Sequence, residues 1–294
     1  MLYQIISDSS CDLPMDYAKA NNLEVIPFYV SFDGENYYKE GIEVDHEEFY
    51  NRMIKDHVYP KSSLPSIDDY LQVFKKYAAD NIPVICICIT TKFSGSYQSA
   101  ITAKEILSET YPDARITVID SNINTVLQGI YVREAVRMLQ DGISYETAID
   151  HLERIKSTGR IIFTIGSMDY LKKGGRIGKL LTLAGDTLGI KPLIILKEGE
   201  IYPAGITRSR KKAKLKLLEL AKEHFVKIKE NPNDYEIVVG TGIDMDEAEE
   251  FKDDLEKSLG REITLPVARI GVTIGTHTGP HPIGLGLIKK YDAK

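Results

Sequence analysis

Cysteine is scarce in this chain of 294 residues: there are three, an odd number that makes no disulfide framework. Cys86 and Cys88 lie two apart in an apolar run, so on a strand they share one face and read as small buried hydrophobes. Positive charge is also short, with 37 Lys and Arg against 43 Asp and Glu, a net charge of −6 and a pI near 5.6. That balance argues against broad nucleic-acid binding, which needs a basic face. The longest apolar runs, such as those at 82–89 and 193–196, are far too short to span a bilayer. The opening MLYQIISDSS has no basic segment followed by an apolar one, so a secretory signal is not expected and the cytoplasm is the expected compartment. There is no internal repeat and no low-complexity tract.

Several catalytic signatures are missing as well. KKGGRIGK (residues 172–179) invites a phosphate-loop reading, but Lys173 stands where the first glycine belongs and Leu180 where a magnesium-binding hydroxyl belongs. The first strand runs into SDSSCD instead of a dinucleotide-binding glycine pattern. No serine sits in a G-x-S-x-G elbow. His277 and His281 have i, i+4 spacing, yet Gly279, Pro280 and Pro282 forbid the helix that would aim both at one zinc. No metal site and no cofactor are expected.

What is present is a repeated strand–helix grammar. The pattern predicts strands over 3–7, 23–32, 82–90 and 114–120, with helices near 14–21, 46–55, 66–80, 96–110, 123–140 and 144–157. Such alternation implies α/β architecture: a parallel sheet covered by helices on both faces. Ser66 and Asp69 have the spacing of a capping box, Ser144 is a cap, and Gly159 reads as a C′ residue that closes a domain. The expected division is an N-terminal α/β domain over 1–158 and a smaller α+β C-terminal domain over 159–294. In the latter, strands are expected at 160–167, 192–197, 201–207, 235–240, 262–273 and near 284–290, with helices over 209–229 and 244–259. An apolar helix-like stretch runs up to Leu188. Glu198, Gly199 and Glu200 form a hairpin turn.

The run IPVICICI (residues 82–89) leads straight into TTKFSGSYQSA (residues 90–100), a turn of hydroxyls opening a helix. At the carboxyl edge of a parallel strand, this is where ligands bind. Unpaired N–H groups of a helix start, joined by Thr91, Ser94 and Ser96, make a neutral cradle for a carboxylate or phosphate. DSSCDLP (residues 8–14), SNINTVLQG (residues 121–129) and KSSLPS (residues 61–66) bring further hydroxyls and amides to the same edge, so four segments point to one crevice. GTHTGPHPIG (residues 275–284) reads as a Gly/Pro-held loop that presents Thr276, His277 and Thr278. Basic residues gather at 172–179 and 208–212, with Arg208 and Arg210 placed to meet a phosphate or an acidic partner.

DSSCDL (8–13), KSSLPS (61–66), SGSYQSA (94–100), YLKKGGRIG (170–178) and GTHTGP (275–280), taken in that order, resemble the DegV family across essentially the whole chain. The resemblance implies a bacterial fatty-acid-binding protein, the FakB component of a fatty acid kinase system. Such a protein holds a long-chain fatty acid and presents it to a separate FakA-like kinase that uses ATP to form an acyl phosphate. It implies a carrier role in phospholipid metabolism with no catalytic site of its own, and leaves room for transient contact with a membrane. It places the carboxylate at Ser62, Ser63, Ser94, Ser96, Thr276 and His277, and presentation to the kinase at Arg176, Arg208 and His277. Two departures are Leu64, where glutamine is frequent, and His281, where glycine is usual; the latter is expected to crowd or polarise its loop. The competing reading is a serine-based phosphotransferase or esterase in the same crevice, against which the sequence shows no general base beside Ser62, Ser63 or Ser94. A sensor of a phosphorylated metabolite would need more cationic residues there.

Overall fold

The computed structural model describes residues 2–183 and 189–293. In chain order the first half forms β1 (Gln4–Asp8), α1 (Met15–Ala20), β2 (Glu24–Ile26), β3 (Tyr29–Ser31), β4 (Tyr38–Lys39) and α2 (His46–Lys55). It continues with β5 (Lys61–Ser63), α3 (Ile67–Ala79), β6 (Val84–Cys88), α4 (Ser96–Ser108), β7 (Ile116–Asp120), α5 (Thr125–Gln140) and α6 (Tyr145–Lys156). The second half holds β8 (Arg160–Thr164), α7 (Asp169–Lys173), β9 (Lys191–Lys197), β10 (Glu200–Thr207), α8 (Arg210–Ile228) and β11 (Tyr235–Thr241). It ends with α9 (Met245–Leu259), β12 (Ala268–Arg269), α10 (Val272–Thr278) and β13 (Ile283–Lys289).

Strands β2-β1-β6-β7 form a parallel sheet. β6 reads VICIC because both its faces are covered, which is what a central parallel strand requires. Cys86 and Cys88 pack with Tyr70, Phe74, Ala100 and Ala103 of α3 and α4 on one side. Ile85 and Ile87 pack with Leu127, Ile130 and Tyr131 of α5 on the other. The second sheet, β10-β9-β8-β13-β11-β12, is antiparallel except for the β11–β12 pair. Its outer face carries α8 and α9. A third, small sheet, β4-β3-β5, is built from the first half of the chain. Among the described residues, every strand before residue 159 lies in the first or third sheet and every later one in the second.

α5 lies between the two large sheets, and twelve of its residues are buried. A helix that is apolar nearly all round belongs in such a place. Gly240 and Gly286 permit the approach: a Cβ on Gly286 would stand 3.2 Å from Leu127 Cβ, and one on Gly240 would stand 3.0 Å from Val126 Cγ1. α5 is thus shared by both halves.

Several expectations change. The expected strand 23–32 is two strands in different sheets, broken at Pro27, which has no N–H to donate. The expected strand 262–273 shrinks to Ala268–Arg269 after Pro266, and Val272 already begins α10. The loop expected at 275–284 therefore opens as helix through Thr278. Lys61–Ser63 of KSSLPS pairs with β3 as a strand. Gly159 is no left-handed C′ residue; its value is space, since a Cβ there would press on Ile123 at 3.1 Å. Gly178–Leu183 forms a 3-10 turn, and the rest of the helix-like stretch to Leu188 lies outside the described residues. The capping box at Ser66–Asp69 and the hairpin at Glu198–Gly199, where both residues have positive φ, stand as expected.

Candidate functional site

A cavity opens where the two halves meet, with about 190 Å³ open to the centre of a water-sized sphere. Its walls are apolar side chains from both halves, among them Phe28, Ile89, Val126, Phe163, Leu196 and Ile274. Its polar lining includes Ser62, Ser63, Ser94, Arg176 and His277. β5 delivers Ser62 and Ser63, the β6–α4 turn delivers Ser94, and α10 delivers His277.

His277 Nε2 lies 2.8 Å from Ser62 Oγ. Its other ring nitrogen, Nδ1, is buried without a partner. A buried unpaired N–H costs more than an under-used acceptor, which assigns the proton to Nε2. Nε2 then donates to Ser62, and the Ser62 hydroxyl hydrogen is free for a ligand. Burial, with the Arg176 guanidinium adding to it, lowers the His277 pKa to about 4, so the ring is neutral at physiological pH. The ring is also held sterically. A Cβ on Gly174 would collide with Nδ1, and one on Gly279, whose φ is +75°, would collide with the Tyr170 ring.

Arg176 borders the opening and is fixed by the backbone. Its Nε and one terminal nitrogen donate to Phe93 O at 3.2 and 3.1 Å, and the other donates to Gly174 O at 2.8 Å. Ser94 Oγ accepts the Ser96 N–H, the first of α4, at 3.2 Å while its side chain lines the cavity. Ser63 is exposed at the rim beside Leu64.

Ser96 is not in this cluster. It is fully buried, donates to Asp8 Oδ2 at 2.7 Å and accepts from the Tyr70 hydroxyl at 2.6 Å. Asp8 also takes hydrogen bonds from Ser10, Gln128 and the Ile89 N–H, and burial still raises its pKa. Thr276 turns back to Val272 O at 3.0 Å, and Thr91 turns to Asp120 at 2.6 Å. Arg208 is exposed at the far end of β10 and does not line the cavity. Arg210 is engaged with Glu247, Asp244 and the His281 carbonyl rather than free for a partner. His281 bonds Asp244 at 3.1 Å, which turns it away from His277. Asn124, Thr125 and Thr273 line the cavity and were not singled out from sequence. The stretch SNINTVLQG after β7 is the available signal for the first two.

The sequence showed no base beside the serines; the fold brings His277 to Ser62, but in the assigned tautomer the ring nitrogen that meets Ser62 already carries a proton. As a general base the ring is weak, because a pKa near 4 lies far from the operating pH and no acid orients Nδ1.

The family described as "Uncharacterised protein, DegV family" matches residues 3–290. The chain belongs to the DegV family. A DegV domain-containing protein of Clostridium perfringens is 32% identical over 292 residues, covering 99% of this chain and 100% of that one. A stearic-acid-binding protein from Eubacterium ventriosum has the same fold at a TM-score of 0.95 and 45% identity, covering 99% of this chain and 100% of that one. DegV of Bacillus subtilis, a fatty acid binding protein, superposes at a TM-score of 0.85 with 26% identity, over 99% of this chain and 100% of that one. The DegV motifs at 61–66, 94–100, 170–178 and 275–280 each supply a lining residue of the cavity. Among the described residues, no helix of this DegV protein is long and apolar enough to cross a membrane.

Proposed function

We propose that this DegV protein binds a long-chain fatty acid, tail in the apolar cavity and carboxylate at Ser62, Ser63, Ser94 and His277, and presents it to a separate ATP-using kinase. The observation that carries the reading is a mainly apolar cavity whose polar lining includes Ser62, bonded to His277, together with Ser63 and Ser94, in a chain 45% identical to a stearic-acid-binding protein. Burying roughly fourteen methylenes contributes up to ~11 kcal/mol at ~0.8 kcal/mol each. Desolvating the carboxylate costs several kcal/mol, which hydroxyl and N–H donors offset without a tight ion pair. A carboxylate held this way keeps an oxygen nucleophilic enough to attack a phosphoryl group. Arg176, at the opening, can meet the developing phosphoryl charge or an acidic face of the kinase.

Organic extraction of the purified protein followed by mass spectrometry tests the reading. A long-chain fatty acid at near-stoichiometric occupancy is expected, and a nucleotide or sugar phosphate with no acyl chain would refute it. With a cognate kinase and ATP the loaded protein should yield acyl phosphate, and alone it should transfer none.

The Ser62–His277 contact favours a second reading, an esterase with Ser62 as nucleophile. Turnover of a p-nitrophenyl acyl ester that disappears in Ser62→Ala would support it. The lowered His277 pKa predicts no such turnover.

A further inference from the structure

Glu40 stands between the two arms of the chain that meet at the Ser62–His277 bond. It directly follows β4, and its N–H donates to Phe28 O at 3.0 Å, which extends the β3–β4 ladder by one rung. The other edge of β3 pairs with β5, in a register that sets Val30 opposite Ser62. The Glu40 backbone is therefore two strand spacings, about 10 Å, from the strand that carries Ser62.

The Glu40 side chain reaches into the second half. It is buried, and its carboxyl group accepts the Thr273 N–H on Oε1 at 3.0 Å and the Thr273 hydroxyl on Oε2 at 2.7 Å. Ser9 Oγ also donates to Oε2, at 2.6 Å, and itself accepts the Phe28 N–H at 2.9 Å. The carboxyl group abuts the start of α10, since a Cβ on Gly271 would stand 2.7 Å from Oε1. A helix start ordinarily finds an acceptor in its N-cap side chain; here the N-cap is Gly271, and Glu40 supplies the acceptor from 233 residues away.

α10 depends on such an anchor. It has seven residues, VTIGTHT, most of them β-branched, and is too short and too weak in helix preference to stand alone. Tyr50 steadies its entry, donating to Ile270 O at 3.0 Å, and leaves the Thr273 N–H to Glu40. His277 follows Thr273 by one turn, about 6 Å along the helix. The grip on the first turn thus fixes where the next turn delivers His277, which is 2.8 Å from Ser62 Oγ.

We propose that Glu40 is a positioning residue of the carboxylate site, seating His277 on Ser62 by holding the first turn of α10. The proposal rests on the fatty-acid reading above and adds to it a residue that does not line the cavity.

Three variants separate reach from charge. Glu40→Ala removes the acceptor, and Glu40→Asp keeps the charge but withdraws it by one methylene. Glu40→Gln keeps the reach: its amide oxygen can take the Thr273 N–H, and its NH2 group faces hydroxyls that can turn to accept. NMR titration of histidine ring carbons reads the result. In Glu40→Ala and Glu40→Asp the His277 midpoint should climb from about 4 toward its ordinary ~6.5, because burial is the main cause of its lowering. In Glu40→Gln it should stay near 4. His224 on α8, also lowered to about 4 by burial, is the control and should not move in any variant. Fatty acid affinity, measured by calorimetry on delipidated protein, should fall about tenfold in Glu40→Ala. That loss should vanish in a His277→Ala background, because Glu40 acts through His277. A His277 midpoint that stays near 4 in Glu40→Ala, or in Glu40→Asp should the first variant not fold, overturns the proposal. So does a joint rise of His277 and His224, or an affinity loss that persists undiminished in His277→Ala. Wild type that binds no fatty acid would overturn the fatty-acid reading, and the titration would still decide whether Glu40 seats His277.

Discussion

Ser62 Oγ and His277 Nε2, 215 residues apart in the chain, meet at 2.8 Å beside the cavity. β5 brings one partner from the small sheet of the first half, and α10 brings the other from the second half. The bond therefore exists only when both halves have folded and docked.

Ser62→Ala and Ser94→Ala should each weaken fatty acid binding by about 1–3 kcal/mol, the usual cost of removing a hydrogen bond to a charged group. Isothermal titration calorimetry on delipidated protein measures it. Ser94 also accepts the first N–H of α4, so thermal unfolding is followed in parallel. A Ser94→Ala protein that binds normally and only melts earlier would reduce this serine to a cap.

Ser96→Ala should behave in the opposite way. Removing its hydroxyl takes one donor from the buried Asp8 carboxyl and leaves the Tyr70 hydroxyl without its acceptor. Urea unfolding should show a loss of about 1–3 kcal/mol while affinity for fatty acid stays the same. An affinity drop like that of Ser62→Ala would return Ser96 to the carboxylate cradle.

His277 should titrate near pH 4. Its ordinary value is about 6.5, and NMR of ring carbons in histidine-labelled protein reports the midpoint directly. Arg176→Ala should raise the midpoint but leave it below the ordinary value, because burial is the larger cause. The sign for stability follows. The folded state refuses a proton that the unfolded chain accepts, so this contribution is complete above about pH 6.5 and declines as the pH falls toward about 4. Wild type should consequently lose more stability than His277→Asn over that interval.

Turnover by a cognate kinase should separate the two arginines that the sequence grouped together. Arg176→Ala should depress acyl phosphate formation, since Arg176 borders the cavity opening and its guanidinium is fixed on Phe93 O. Arg208→Ala should turn over like wild type, because Arg208 is exposed away from the cavity. Equal effects in both variants would mean that the kinase reads general basic charge rather than a placed group.

Short-range relationships were legible in the order of residues. The Ser66–Asp69 capping box, the Glu198–Gly199 hairpin and the doubly buried β6 depend on neighbours within a few positions, so the local pattern determined them. Ser94 and Ser96 mark where that legibility ends. At a helix start, residues two apart face different directions, and only the packed structure decided which hydroxyl met the cavity and which met Asp8. The change from expected strand to helix at Val272 has the same origin. A β-branched, Gly-flanked segment carries weak local preference, and the contacts that hold it, from Glu40 to Thr273 and from Tyr50 to Ile270 O, come from more than two hundred residues away. Arg210 looked free in sequence because its partners Asp244 and Glu247 lie on a later turn and helix. Sequence by itself determined the locally patterned elements, the family motifs and the polar residue types at the sheet edge. Tertiary structure decided which side chains share the cavity, because their directions are set by packing between segments that no local pattern relates.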